Sequence, residues 1–149
     1  MAVGTFSGMS EDIDTNTASG NPTATGQHSG DRIGIVTVTI DCADPRGLAT
    51  FWTEALGYKI TADYGGEFVL LGPASGEQAV GVGLQRVAEE KVTKNRVHLD
   101  FHTPDRAAEV ARLVGLGATP LGEHAVPGLS WTTLTDPAGN EFCVGSTNG

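Results

Sequence analysis

The chain has 149 residues, of which 39% are apolar, and this is enough for one domain with its own hydrophobic core. Its 18 acidic and 9 basic residues give a formal charge of −9, and no basic stripe offers the surface that a nucleic-acid binder needs. With no apolar run near the roughly 18 residues of a membrane span, and too few cysteines for a disulfide framework, we expect a cytoplasmic protein with reduced thiols and no membrane contact.

Residues 1–31 differ in composition from the rest of the chain. They are rich in Ser, Thr, Gly and Asn, contain no Lys or Arg, and show no apolar periodicity. Such a segment buries too little surface to offset the entropy lost on ordering. We predict a flexible acidic tail over residues 1–31 and a single folded domain over residues 32–149.

The folded region begins with one strand, one helix and further strands. The β-branched run IGIVTVTIDC predicts a strand at residues 33–42, and Asp44-Pro45 marks the turn into a helix that closes at Gly57. Trp52 lies on the apolar side of that helix, which favours a place in the core. Two or three strand candidates follow, separated by glycine-rich turns, at residues 58–64, 67–73 and 78–87.

The same order recurs in the second half of the chain. The stretch RVHLDFHTPD predicts a strand, a second helix ends at Leu116-Gly117, and three more strand candidates follow at residues 118–124, 129–137 and 140–145. Corresponding landmarks in the two halves are 60 to 64 residues apart. These offsets indicate an internal duplication of a βαβββ unit, with repeat one at about 33–90 and repeat two at about 95–146.

The duplication resembles the vicinal oxygen chelate superfamily, which includes glyoxalases, extradiol dioxygenases and bleomycin-resistance proteins. Three stretches carry the resemblance: DCADPRGLATFWTEALGY at the first helix, VHLDFHTPD at the fifth strand and LTDPAGNEFCVG at the last hairpin. The resemblance implies an α+β fold in which the tandem βαβββ repeats form an open, incomplete barrel around a cleft. It also implies a homodimer, because open sheets leave edges that members of the superfamily cover by pairing.

Metal-dependent members of the superfamily place ligands on the first, fourth, fifth and eighth strands. By resemblance these positions are Thr37, Gln85, His98 and Cys143 in this chain. Among them only His98 is a strong ligand for a divalent transition metal, and Cys143 becomes one only when it loses its proton. We therefore expect no metal and no cofactor, with an atypical divalent metal site as the alternative.

The strand RVHLDFHTPD places three ionisable side chains at alternate positions. Because successive residues of a strand point to opposite faces, His98, Asp100 and His102 are predicted to share one face. The intervening apolar residues are predicted to face the helices: Val97, Leu99 and Phe101. The polar face is either simply solvated or part of the cleft. In the cleft, His98 would bind a ligand or act as acid and base, oriented by Asp100.

Other side chains are candidates for the same cleft. Thr39 shares a face with Thr37 on the first strand, and Trp131 offers a flat platform for an organic ligand. Cys143 is interpreted as a small buried residue, with a nucleophilic role as the alternative. Residues 136–140, DPAGN, have the composition of a structural turn.

Three functions are consistent with this sequence. The leading one is a protein of the resistance or sequestration type that binds a small organic molecule in the cleft between the repeats, without a metal. The second is a lyase, isomerase or cyclase that uses His98 and Asp100 as acid–base groups or an atypical metal site. The third is an interaction domain whose acidic tail contacts a partner protein.

Overall fold

The computed structural model describes residues 34–147, so the predicted tail at residues 1–31 lies outside the described part of the chain. Residues 34–147 belong to one compact unit. The elements of the first repeat are β1 (Thr37–Cys42), α1 (Pro45–Leu56), β2 (Tyr58–Tyr64), β3 (Phe68–Pro73) and β4 (Gly81–Arg86). The elements of the second are β5 (Leu99–His102), α2 (Arg106–Leu116), β6 (Thr119–Val126), β7 (Leu129–Thr135) and β8 (Glu141–Thr147).

The two helices begin and end in the same way, which confirms the predicted duplication. Each starts after an aspartate whose side chain accepts a hydrogen bond from a first-turn backbone N–H: Asp44 for α1 and Asp105 for α2. Each ends at a glycine in the left-handed conformation, Gly57 with φ 66° and Gly117 with φ 115°. Between residues 34 and 147, neither helix has the length and apolarity that a membrane crossing requires.

Each repeat forms its own four-stranded mixed sheet. The strand order is β1-β4-β3-β2 in the first sheet and β5-β8-β7-β6 in the second. The first and last strands of each repeat pair in parallel, and the other pairs are antiparallel. Among the described residues neither sheet closes on itself, so the predicted α+β fold of tandem βαβββ repeats in an open arrangement is confirmed.

An aromatic cluster joins the two repeats in the core. Trp52, on α1 of the first repeat, is 2% exposed. Its ring centroid lies 5.9 Å from that of Phe101 and 5.3 Å from that of Phe142, both in the second repeat. The core position predicted for Trp52 is therefore confirmed, and burial of this cluster is a large apolar contribution to stability.

A buried hydrogen bond connects the same tryptophan to the predicted turn at residues 136–140. The Trp52 indole Nε1 donates to Asp136 Oδ2 at 3.1 Å. The other oxygen of Asp136 accepts from the backbone N–H groups of Ala138 and Asn140, at 2.9 and 3.0 Å. Burial raises the pKa of the Asp136 carboxyl, although these donors act in the opposite direction. The turn is structural, as predicted, and it also ties the repeats together.

The strand β5 is shorter than the sequence pattern indicates. Leu99 and Phe101 pack against the core as predicted, but the prediction that Val97 faces the helices is wrong, because its side chain is 74% exposed. The strand begins only at Leu99, and residues 87–98 form an irregular connector between the repeats. The alternation of a strand therefore does not extend to Val97.

We predict that Trp52→Phe destabilises the protein by about 2 kcal/mol, because it leaves one oxygen of a buried carboxylate without its donor and reduces the packed volume. The matched control is Trp131→Phe, which changes a half-buried indole and is expected to cost less than about 1 kcal/mol. Urea unfolding followed by circular dichroism measures both. Equal losses for the two variants would show that the Trp52 hydrogen bond contributes nothing measurable.

Candidate functional site

The second sheet carries a cavity of about 620 Å³ on its face opposite the helices. We call this the second-repeat cavity. Its wall includes six polar or aromatic side chains discussed below: His98, Asp100, His102, Trp131, Thr133 and Cys143. The structure thus brings together five of the residues that the sequence analysis selected, four on the second sheet and His98 just before it, rather than between the two repeats.

Strand register places these side chains in rows across the sheet. Asp100 on β5 is opposite Cys143 on β8, which is opposite Thr133 on β7. In the next row, Gly145 on β8 lies between His102 and Trp131. Neighbouring strands are about 4.8 Å apart, so the members of a row are within reach of one small ligand.

His98 and Asp100 form a contact pair at the cavity. Their closest atoms, Nε2 of His98 and Oδ1 of Asp100, are 3.4 Å apart, and the two side chains are 40% and 72% exposed. A carboxylate in this position can orient an imidazole and select its tautomer. Both groups are accessible to a molecule that enters from solvent.

Cys143 completes a cluster with this pair. A nitrogen of His98, a carboxylate oxygen of Asp100 and the Cys143 sulfur all lie within 4.8 Å of one another. The Thr133 hydroxyl is 3.5 Å from the sulfur. Nitrogen, oxygen and sulfur ligands of this kind could hold a divalent metal such as zinc. All three residues come from the second repeat.

The four metal positions implied by the superfamily resemblance do not converge. Thr37 is paired with Gly81, which has no side chain, whereas Gln85 is paired with Asp41. Thr37 and Gln85 are therefore four residues apart along the ladder, roughly 13 Å at the rise of a strand. One metal ion cannot bind both side chains, so the residues present do not fit the four-ligand site of the metal-dependent members.

The predicted site residues of the first repeat lie away from the second-repeat cavity. Thr39 lines a second, smaller cavity of about 250 Å³ at the junction with the connector, and His98 lines both cavities. Thr37 and Gln85 line neither of these two cavities. His98 and Glu141 are the residues that line both cavities.

Trp131 stacks against His124, a residue that the sequence analysis did not select. The ring of His124 on β6 stacks on the indole with centroids 5.2 Å apart and planes 23° apart. The two residues are paired across the β6–β7 hairpin. The signal was available in the sequence, because a short turn at Pro127-Gly128 brings residues 124 and 131 opposite each other.

Glu141 is a second residue that sequence reasoning did not assign. Its carboxylate lines the second-repeat cavity and accepts hydrogen bonds from the Asn95 backbone N–H at 2.8 Å and from Lys91 Nζ at 3.3 Å. Burial raises the pKa of the Glu141 carboxyl, but the bonds from Asn95 and Lys91 outweigh this effect and leave the pKa below its usual range. Glu141 therefore holds the connector beside the cavity and keeps its charge there.

Solved structures share this two-repeat architecture. A protein from Agrobacterium tumefaciens superposes with a TM-score of 0.64 at 20% identity, covering 79% of this chain and 100% of that one. A glyoxalase/bleomycin resistance protein/dioxygenase from Nocardioides gives 0.63 at 17% identity, covering 78% and 84%. TnmS3, an antibiotic binding protein from a Streptomyces species, gives 0.57 at 19% identity, covering 79% and 98%. The fold is that of the vicinal oxygen chelate superfamily.

Comparison of the sequence with family models identifies the family of this chain. The family model described as a glyoxalase-like domain matches residues 37–145, from the first residue of β1 to within β8. The chain therefore belongs to the glyoxalase-like domain family, and the predicted superfamily is confirmed. The comparison with curated proteins found no match.

Proposed function

We propose that this protein binds a small organic molecule in the second-repeat cavity without a resident metal. The observation that carries the proposal is the composition of that cavity, about 620 Å³ in volume. Apolar surface from Leu129 and Trp131 meets the polar groups of His98 and Asp100 in one concave space. Cavities of this size and mixed lining are typical of small-molecule sites.

The indole of Trp131 supports this proposal because it is held in place before a ligand arrives. One face of the ring contacts His124, and the side chain also lines the cavity. A ring that is already immobilised loses little entropy when a flat molecule packs against it. The expected ligand therefore has an aromatic or other planar portion for Trp131 and a polar group for His98.

The structural relatives are consistent with this function. TnmS3 is described as an antibiotic binding protein, and other structures with the same fold are described as glyoxalase-related enzymes or as a lactoylglutathione lyase. Since one fold carries both binding and catalysis, the choice between them depends on the site. A role in resistance or sequestration agrees with a cavity in which the superfamily's metal ligands do not converge.

A second candidate function is acid–base catalysis, and the His98–Asp100 contact favours it. An imidazole beside a carboxylate 3.4 Å away can accept a proton from a bound molecule and return it at another atom. Such chemistry would make the protein a lyase, isomerase or cyclase. Conversion of a bound compound, rather than its release unchanged, distinguishes this candidate from the first.

We predict that purified protein carries no stoichiometric transition metal, because the four ligand positions of the metal-dependent members do not converge and the His98–Asp100 pair beside Cys143 is exposed. Elemental analysis of protein prepared without chelators tests this. About one equivalent of zinc, iron, manganese or nickel per chain, lost in a His98→Ala variant, would contradict the proposal. If the His98→Ala variant keeps its metal, the metal is bound somewhere other than the cluster of His98, Asp100 and Cys143.

We predict that His98→Ala weakens ligand binding or turnover by about tenfold or more, equivalent to about 1.4 kcal/mol. Its stability should stay within about 1 kcal/mol of the parent, because the side chain is 40% exposed. A panel of planar aromatic antibiotics, titrated while the tryptophan emission is followed, supplies the binding measurement. Unfolding in urea supplies the stability.

The matched control is His102→Ala, four residues after His98 and the last residue of β5. It should reduce affinity less than His98→Ala does. If His98→Ala unfolds the protein while binding per folded molecule is kept, the polar face of β5 is structural and the proposed site is wrong.

We also propose that the protein is a homodimer, because its outer strands offer apolar surface. On β2, Ile60 and Tyr64 are 49% and 65% exposed; on β6, Leu121 is 58% exposed. Edge strands with exposed apolar side chains favour pairing with another chain. Light scattering at micromolar concentration should give the mass of two chains, and Leu121→Lys or Ile60→Lys should lower it. A monomeric parent protein would refute the homodimer.

A further inference from the structure

We propose that Cys143 is a reactive thiol that captures soft electrophiles entering the second-repeat cavity, with His98 as its base. This inference rests on the proposed function, since it requires that small molecules enter this cavity. It adds a covalent step and a ligand class, namely compounds with an activated carbon–carbon double bond such as a quinone or an enone.

The arrangement of the three side chains carries the inference. Asp100 contacts His98 at 3.4 Å, and both have an atom within 4.8 Å of the Cys143 sulfur. A nucleophile, a base and a carboxylate that orients the base form the general pattern of activated nucleophiles. Contacts of this kind are often long in an empty site and shorten when the ligand binds. His98 is 40% exposed, so its ring has room to turn toward the sulfur.

The surroundings of Cys143 suit a thiol that reacts only inside the cavity. The residue is 6% exposed, yet it lines the second-repeat cavity. The Thr133 hydroxyl, 3.5 Å from the sulfur, can donate to the thiolate once the proton has left. A reagent therefore meets the sulfur only after it has entered the site.

Cys42 provides an internal comparison. It is 5% exposed in the core, lines neither of the two cavities described above, and donates to the Gln85 backbone carbonyl at 3.7 Å. Burial, followed by the negative charges of Asp136 and Asp44, raises the pKa of the Cys42 thiol to about 11. At neutral pH this thiol is almost entirely protonated and unreactive.

The proposed step is a redox-neutral addition. His98 takes the proton of the Cys143 thiol, and the thiolate sulfur forms a bond to the β-carbon of the double bond. The π electron pair moves onto the carbonyl oxygen as an enolate. The imidazolium, directly or through water, returns the proton to the α-carbon. All atoms of the electrophile stay in the product, and no oxidant or leaving group is involved.

The test uses N-ethylmaleimide as the electrophile and the full chain with both cysteines present. Peptide mass mapping after timed labelling gives separate rates for Cys143 and Cys42 in one sample. Cys143 should react about tenfold faster or more than Cys42. His98→Gln should slow the labelling of Cys143 by about tenfold or more. Asp100→Asn should give a smaller loss.

The control for loss of a carboxylate is Glu54→Gln on α1, an exposed side chain on the other side of the sheets, which should leave both labelling rates unchanged. Equal rates for Cys143 and Cys42 would overturn the proposal. An unchanged Cys143 rate in both His98→Gln and Asp100→Asn would also overturn it. If Cys143 is labelled only after a chelator has been added, the cluster of His98, Asp100 and Cys143 binds a metal, and this result would also overturn the proposal.

Failure of this proposal can be told apart from failure of the proposed function. Cys143→Ser removes the thiol but keeps the volume of the cavity nearly unchanged. If this variant still binds a compound from the antibiotic panel while the parent shows no preferential labelling of Cys143, only the covalent step is wrong. If neither the parent nor Cys143→Ser binds any such compound, and Cys143 is also not labelled preferentially, both proposals fail.

Discussion

The hydrogen bond from the Trp52 indole to the buried carboxylate of Asp136 joins two halves that have no strand ladder in common within residues 34–147. Each repeat completes its own sheet, so their association depends on contacts between side chains. The aromatic cluster around Trp52 buries apolar surface between the repeats, and the 3.1 Å hydrogen bond fixes the orientation of the Trp52 indole relative to the turn at Asp136. A second connection is made by Arg112 on α2, which donates to the carbonyl groups of Glu54 and Ala55 at the end of α1.

The same carboxylate also controls the geometry of the cavity. Asp136 begins the turn between β7 and β8, and its bonds to the backbone N–H groups of Ala138 and Asn140 set where β8 starts. That start determines the register of the hairpin, which places Thr133 opposite Cys143. An interaction in the core, on the far side of the sheet, thereby decides which side chains meet in the site.

The fold was largely predictable because its signals are local. Asp44 and Asp105 cap helices, Gly57 and Gly117 end them, and alternating apolar residues mark most strands. The bounds of β5 were less predictable. The connector at residues 87–98 is held by contacts with Glu141, fifty residues from Lys91 in the sequence, and no local pattern reports such a contact.

The candidate site was predictable in part. Asp100 and His102 share one face of β5, as the alternation along RVHLDFHTPD predicts, and His98, which lines the same cavity, lies just before the strand. The position of the cavity on one sheet depends on how β5, β7 and β8 pair, which requires the register of distant strands. The parallel register of β1 with β4, which separates Thr37 from Gln85, is a long-range property of the same kind.

Gly145 has a consequence for the range of compounds that the cavity accepts. It lies between His102 and Trp131, and a Cβ added there would meet its nearest neighbour, the Ser130 carbonyl oxygen, at an ordinary 3.5 Å. The backbone therefore does not require glycine at this position, and a larger residue would occupy space between the two rings without straining the strand. Under the proposed function, residue 145 would limit ligand size at a position that the fold leaves free to vary, so single substitutions there should change selectivity while the core stays intact.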